Sequence, residues 1–288
     1  MDNKLFPGSA VEPSFVAIGD SFTEGLNDVT PGGGFRGWAD RLAGLLAAPY
    51  PGIRYANLAV RGKLLRQIVA EQVPAAAAMS PGLVSIAGGG NDILRPGSDP
   101  DVLAELFDVA VARLRAAGSQ VLMFTGSDPV SAPVIKLLRG KIGTFNMHLR
   151  AIADRHQCRV VDLWSMNVLH DPRAWSADRL HLAADGHRRV ALRACEVLGV
   201  PVDEDWRQPW PALNQAPRSG AASWLVARRM DARWARVHAA PWVGRRIRGR
   251  SSGDGILPKR PQLLPMSATP AGSAVLDLGL GSLEHLTS

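Results

Sequence analysis

The chain has 288 residues, 46% of them hydrophobic and only 6% aromatic, which suits one packed domain of about 200 residues with an appendage. Its net charge of +7 is unevenly placed: residues 218–262 hold 11 Lys and Arg against 2 Asp, while residues 1–217 are neutral, so the high pI describes a C-terminal segment and not the body. No run approaches 18 uninterrupted apolar residues and the first residues do not read as a signal peptide, so a membrane span is excluded and a cytoplasmic, non-exported protein is expected.

Strands are predicted at 14–19, 53–59, 82–88, 120–126 and 158–163. These runs are apolar throughout rather than alternating, as in strands buried on both faces of a mostly parallel sheet. Helices are predicted near 35–48, 63–79, 100–117, 139–156 and 184–199. The alternation implies an α/β domain over 14–200, a three-layer α/β/α sandwich on a mostly parallel five-stranded sheet, with its working groups at the carboxyl ends of the strands. Cys158 and Cys195 lie in apolar segments and read as free, reduced and buried, with a single disulfide as the alternative. Residues 201–262 form an extension: a Pro- and Trp-rich linker or strap over 201–220, an amphipathic helix at about 221–238, and a basic Gly- and Pro-rich stretch over 239–262. Residues 263–288 carry no firm pattern and are expected to be a disordered tail.

Chemistry gathers where the predicted strands end. The first runs into Gly19-Asp20-Ser21-Phe22-Thr23-Glu24-Gly25, which puts Ser21 in the turn before a helix, the place a nucleophile needs. The second is followed by Asn57-Leu58-Ala59-Val60-Arg61-Gly62, and the third ends in Gly88-Gly89-Gly90-Asn91-Asp92. The backbone N–H groups of Ser21 and Gly62 and the amide of Asn91 could together hold an oxyanion. After the fifth strand comes Asp178-Arg179-Leu180-His181, a base with a carboxylate three positions earlier to orient it.

These four blocks, in this order, resemble the SGNH/GDSL hydrolases over about residues 14–199. The resemblance implies the flavodoxin-like fold of that family and a carboxylic-ester hydrolase that works through an acyl-enzyme on a small acyl, acetyl or lipid-like ester. It implies Ser21, Asp178 and His181 as the catalytic residues, Ser21, Gly62 and Asn91 as the oxyanion hole, and Asp20 and Gly89 in support. Arg61 is bulkier than the small residue often found before the glycine, and it suggests an anionic substrate. No metal or cofactor is called for, since there is no phosphate loop and no His/Cys cluster at ligand spacing.

Plainer readings stand beside these. Ser21 could simply cap a helix, Asn91 or Asp92 likewise, and Asp178 could solvate a loop. Asp92 and the other histidines read as structural. Gly249-Arg250-Ser251-Ser252-Gly253 fits the G-x-S-x-G elbow of another hydrolase fold but lacks a strand before it and a helix after it. Two other functions fit the sequence: an O-acyltransferase on the same fold, and a scaffold binding an anionic membrane surface or polyanion through residues 218–262, which hold no dedicated nucleic-acid motif.

Overall fold

A computed structural model describes residues 5–6, 12–130, 135–212, 229, 232–234, 236–237, 241, 244 and 251–267. All five predicted strands form: β1 (Ser14–Ile18), β2 (Arg54–Asn57), β3 (Leu83–Ile86), β4 (Gln120–Phe124) and β5 (Arg159–Val161). They run parallel, and β1 and β3 are buried along their whole length. Eight α-helices accompany them among the described residues: α1 (Ser21–Glu24), α2 (Gly37–Leu46), α3 (Leu65–Gln67), α4 (Val73–Ala78), α5 (Gly90–Ile93), α6 (Pro100–Ala116), α7 (Arg139–His156) and α8 (Ala184–Leu198).

Alternation along β1 divides the core in two. Phe15 and Ala17 pack with Trp38, Leu42 and Leu46 of α2 and Val190, Ala191 and Leu198 of α8. Val16 and Ile18 face the other way, toward Ile68, Val73, Phe107 and Val111 of α6, and Phe145 and Leu149 of α7. This is the expected three-layer sandwich. Cys158 and Cys195 are free thiols, and burial pushes them up to about 11 and 12. Among the described residues no helix is long and apolar enough to cross a membrane.

The sheet has six strands, not five. β6 (Arg260–Pro265) returns from the extension and pairs antiparallel with β2, giving the order β5-β4-β3-β1-β2-β6. The tail expected over 263–288 therefore begins too early, since Leu263, Leu264 and Pro265 are strand; residues 268–288 lie outside the described residues. Two prolines in Arg260-Pro261-Gln262-Leu263-Leu264-Pro265 hide the strand from a sequence reading. An edge strand tolerates them because one side of its ladder has no partner to serve. In return β6 covers the edge that β2 would leave open.

The single helix expected over 63–79 is three pieces. Between α3 and α4 lies a π-helical turn, Ile68–Gln72, and Pro74 starts α4 without an N–H to give to the ladder. The wider turn aims Gln72 inward, where its side chain takes Gly19 N–H at 2.7 Å and donates to Gly19 O at 2.9 Å. Gly19 must lack a side chain: a Cβ there would lie 2.5 Å from the Ala87 carbonyl and 2.6 Å from Thr23 Oγ1. The pairing pins the carboxyl end of β1.

Residues 201–212 are a strap across α8. Trp206 is buried with its indole donating to Glu196 at 2.6 Å, and Arg189 donates to the carbonyls of Trp206 and Gln208 at 2.8 and 2.6 Å. Most of the helix expected over 221–238, including Trp224 and Met230, lies outside the described residues, though residues 232–234 are helical. Among the described basic residues of 218–262, Lys259 and Arg260 are spent on the body. Lys259 Nζ donates to the carbonyls of Phe35 and Arg36 at 2.9 and 2.7 Å and meets Asp40 at 3.0 Å, and Arg260 donates to the Tyr55 carbonyl at 2.9 Å.

Candidate active site

The strand order reverses at β1, which has β2 on one side and β3 on the other. In an open parallel sheet this switch point leaves a crevice beyond the carboxyl ends of the strands. Ser21 stands there as the first residue of α1, directly after β1. Asp20 is the N-cap, its Oδ1 accepting from Phe22 N–H at 3.2 Å. As the first helical residue, Ser21 has an N–H with no acceptor inside the helix.

His181 reaches Ser21 from the loop before α8. Its Nε2 lies 2.9 Å from Ser21 Oγ and its Nδ1 lies 2.7 Å from Asp178 Oδ2. The loop is a small hairpin, closed by a bridge between Trp175 and Leu182 and by Ser176 N–H donating to His181 O at 2.8 Å. Asp178 is the acceptor at its centre. Oδ1 takes Ser176 Oγ–H at 2.7 Å and the N–H groups of Leu180 and His181 at 3.0 Å each; Oδ2 takes Asn27 Nδ2 at 2.8 Å as well as the ring. Burial alone would raise this carboxyl, but the hydrogen bond and charge of His181, with the other donors, hold it well below the usual carboxylate range.

Asn91, in α5 after β3, brings the third block to the same place. Its Nδ2 donates to Asp20 Oδ2 and to the Lys63 carbonyl, each at 3.1 Å. Gly62 precedes Lys63 in the loop after β2, so the second block sits beside the third. Gly62 has φ +74 and is covered by Ser251 and Ser252 of the extension, which fill the space a side chain would need. Gly89 is the N-cap of α5 and packs against Phe145. Asp92 is structural, its carboxylate taking Leu65 N–H at the start of α3 at 2.9 Å. Asp20 is buried, and desolvation, opposed by the Phe22 N–H and the charge of His181, pushes it up to about 6.

Ser21, His181, Asp20 and Asn91 open into a cavity of about 490 Å³. Its walls are largely apolar, with Ile93, Phe124, Ile142, Phe145, Leu149 and Trp175 among them, whereas Gly62 and Gly89 are not part of the lining. Arg61 is also outside it. Its N–H and guanidinium bind the buried carboxylate of Glu24, and the guanidinium lies 4.9 Å over Phe35, so the charge turns inward and the expectation of an anionic substrate loses its basis. His187 is buried in the cavity floor, where Nδ1 accepts Trp38 N–H at 3.2 Å and burial pushes the ring down to about 4. His148 and His156 pair with Asp101 and Asp108, each at 2.7 Å. Ser251 and Ser252 of the G-x-S-x-G match lie in a turn that leads to an edge strand, with no helix after them.

Three residues around the relay escaped the sequence reading: Asn27, Ser176 and Trp234, whose indole Nε1 donates to the Asp178 carbonyl at 2.9 Å. Ser176, two positions before Asp178, had a local signal as a turn former. Asn27 and Trp234 had none, because they meet Asp178 only through the fold.

Comparison with known proteins shows the family and the fold. Residues 17–189 match the model of the GDSL-like lipase/acylhydrolase family. No curated protein matches the chain in a sequence search. Among solved structures, TesA is similar at 26% identity with a TM-score of 0.55, over 64% of this chain and 97% of that one. Axe2, an acetylxylan esterase from Geobacillus stearothermophilus, is similar at 22% identity with a TM-score of 0.57, over 68% of this chain and 96% of that one. LAE5, an alpha/beta hydrolase enzyme from the metagenome of Lake Arreo, is similar at 22% identity with a TM-score of 0.56, over 66% and 96%. About a third of this chain lies outside each likeness. The chain belongs to the GDSL-like lipase/acylhydrolase family and is a carboxylic-ester hydrolase of the SGNH/GDSL type.

Proposed function

We propose that the protein hydrolyses esters of apolar acyl groups through an acyl-enzyme on Ser21. The observation that carries this reading is the continuous run from Ser21 Oγ through the His181 ring to Asp178, placed at the wall of a largely apolar cavity. His181 Nε2 takes the hydroxyl proton as Ser21 Oγ attacks the ester carbonyl. Nδ1–H stays bonded to Asp178, whose negative charge stabilises the imidazolium and fixes the tautomer. The N–H groups of Ser21 and Gly62 and the Asn91 amide receive the oxyanion, with Asn91 sharing an N–H now given to Asp20 or Lys63. Collapse breaks the bond to the alcohol oxygen, which leaves with the proton from His181. Water then attacks the acyl-enzyme with His181 again as base, releasing the acid and restoring Ser21.

The cavity supports an acyl group larger than acetyl. An acetyl group fills little of 490 Å³, and each further methylene taken from water into such walls stabilises the bound state by about 0.8 kcal/mol.

A fluorophosphonate probe tests the reading directly. It should label Ser21, and Ser21→Ala should lose labelling together with a factor of about 10⁴ or more in ester hydrolysis. Undiminished hydrolysis by the variant would remove Ser21 from the reaction.

A further inference from the structure

The loop that carries Asp178 and His181 is under backbone strain at its tip. Arg179 has φ +57, a left-handed conformation that a residue with a side chain holds only where its surroundings impose it. Inside the hairpin, Arg179 N–H donates to Ser176 O at 2.9 Å. A further restraint comes from outside the hydrolase domain. Trp234 Nε1–H donates to the Asp178 carbonyl at 2.9 Å, and the Trp234 ring lies under the Arg179 guanidinium, 5.4 Å from its centre. One indole thus grips the peptide unit between the relay carboxylate and the strained residue, and the side chain that follows it. Pro172, Trp175, Ser176 and Ala177 of the body and Arg233, Trp234 and Val237 of the extension line one shared crevice.

We propose that Trp234 is a positioning residue for the Asp178–His181 pair, so that the C-terminal extension is a working part of the ester hydrolase rather than an appendage. This rests on the reading of Asp178 and His181 as the relay. The extension is also fixed to the body on the far side of Trp234, through β6 on β2 and by side chains just before it. Ser251 and Ser252 pack on Gly62, and Lys259 enters a socket made by the carbonyls of Phe35 and Arg36 and the carboxylate of Asp40. The family match ends at residue 189, so Trp234 lies outside the matched residues.

The test uses full-length Trp234→Phe, which keeps a ring for Arg179 and removes the N–H donor. The charged groups facing His181 are Asp178 and Arg179 from its own loop and Asp20 from the β1 turn, and the variant alters none of them. With Asp178 less well held, the imidazolium loses part of its partner. The Nδ1 proton of His181, followed by NMR, should therefore move upfield as its hydrogen bond to Asp178 weakens. In parallel kcat for a short aryl ester should fall about fivefold with KM little changed. Arg236→Ala, on the same exposed segment, should leave both unchanged. A Trp234→Phe protein that melts like the wild type and keeps its Nδ1 proton shift and kcat would overturn the proposal. The NMR measurement needs no turnover, so a wild type with no Ser21 labelling would sink the ester-hydrolase reading while Trp234 was still judged on the ring alone.

Discussion

Asn27 offers a sharp test of how the relay is held. It has φ +74, and its amide donates to Asp178 Oδ2 at 2.8 Å and to Ser176 Oγ at 2.8 Å, bridging the α1 turn to the hairpin that carries His181. Two substitutions separate its two jobs. Asn27→Gly keeps the left-handed backbone at ease and removes the donors. Asn27→Ala removes the same donors and adds a Cβ where the backbone disfavours one, at a cost of about 1–2 kcal/mol. A hydrogen bond to a charged group contributes about 1.5–3 kcal/mol. Asp178 keeps Ser176 Oγ, two backbone N–H groups and the His181 ring, so the low end of that range applies. Both variants should lose about tenfold in kcat. In thermal melts, Asn27→Ala should be less stable than Asn27→Gly by about 1 kcal/mol, the reverse of the order at a position with ordinary helical or extended φ. Steady-state kinetics and melting curves on the pair decide the matter. An alanine variant as stable as the glycine variant would refute the conformational argument, and an unchanged kcat in both would refute the claim that Asn27 sets Asp178.

Two further outcomes follow from the cavity and from Asp20. Along a series of aryl esters, kcat/KM should rise about fourfold per added methylene until the cavity is full, and Ile142→Trp, which narrows the wall, should bring the optimum to shorter chains; a flat series would show that the acyl group binds elsewhere. Burial raises Asp20 from 3.8 to about 6, so its share of stability is present below about pH 3.8 and is lost as pH rises through 6. That share is about 3 kcal/mol. Asp20→Asn should therefore lose less stability than the wild type between pH 4 and 7.5 in denaturant titrations, and equal losses would contradict the buried-carboxyl account.

The sequence carried what is local and what is uniformly apolar. The five parallel strands announce themselves as continuous apolar runs, clearest in β1 and β3, which are buried throughout, and Ser21, Gly62, Asn91 and the Asp178–His181 pair because each sits at a strand end or in the last loop. Where one residue resets the geometry, the pattern misleads: Pro74 breaks a clean helical period at 63–79 and so lets Gln72 clasp Gly19. Pro261 and Pro265 make β6 read as a loop, although an edge position excuses both. Residues that act across the chain leave no trace at all. Asn27 lies 151 positions from Asp178 and Trp234 lies 56, and no spacing rule joins them.

The two carboxyls near His181 are driven apart by opposite physics. Asp178 is surrounded by donors and stays ionised across the working range, while Asp20 is buried and pushed up to about 6. Environments that separate two acids in this way assign their roles. Asp178 carries a constant negative charge against His181, as the proposed relay requires. Asp20 is neutral in mild acid, and its charge appears only as pH rises through about 6. Its Oδ2 takes Asn91 Nδ2, so ionisation of Asp20 strengthens the hold on the amide proposed to receive the oxyanion. Asp20 thus links the orientation of Asn91 to pH, whereas Asp178 holds its ring in the same way on both sides of that transition.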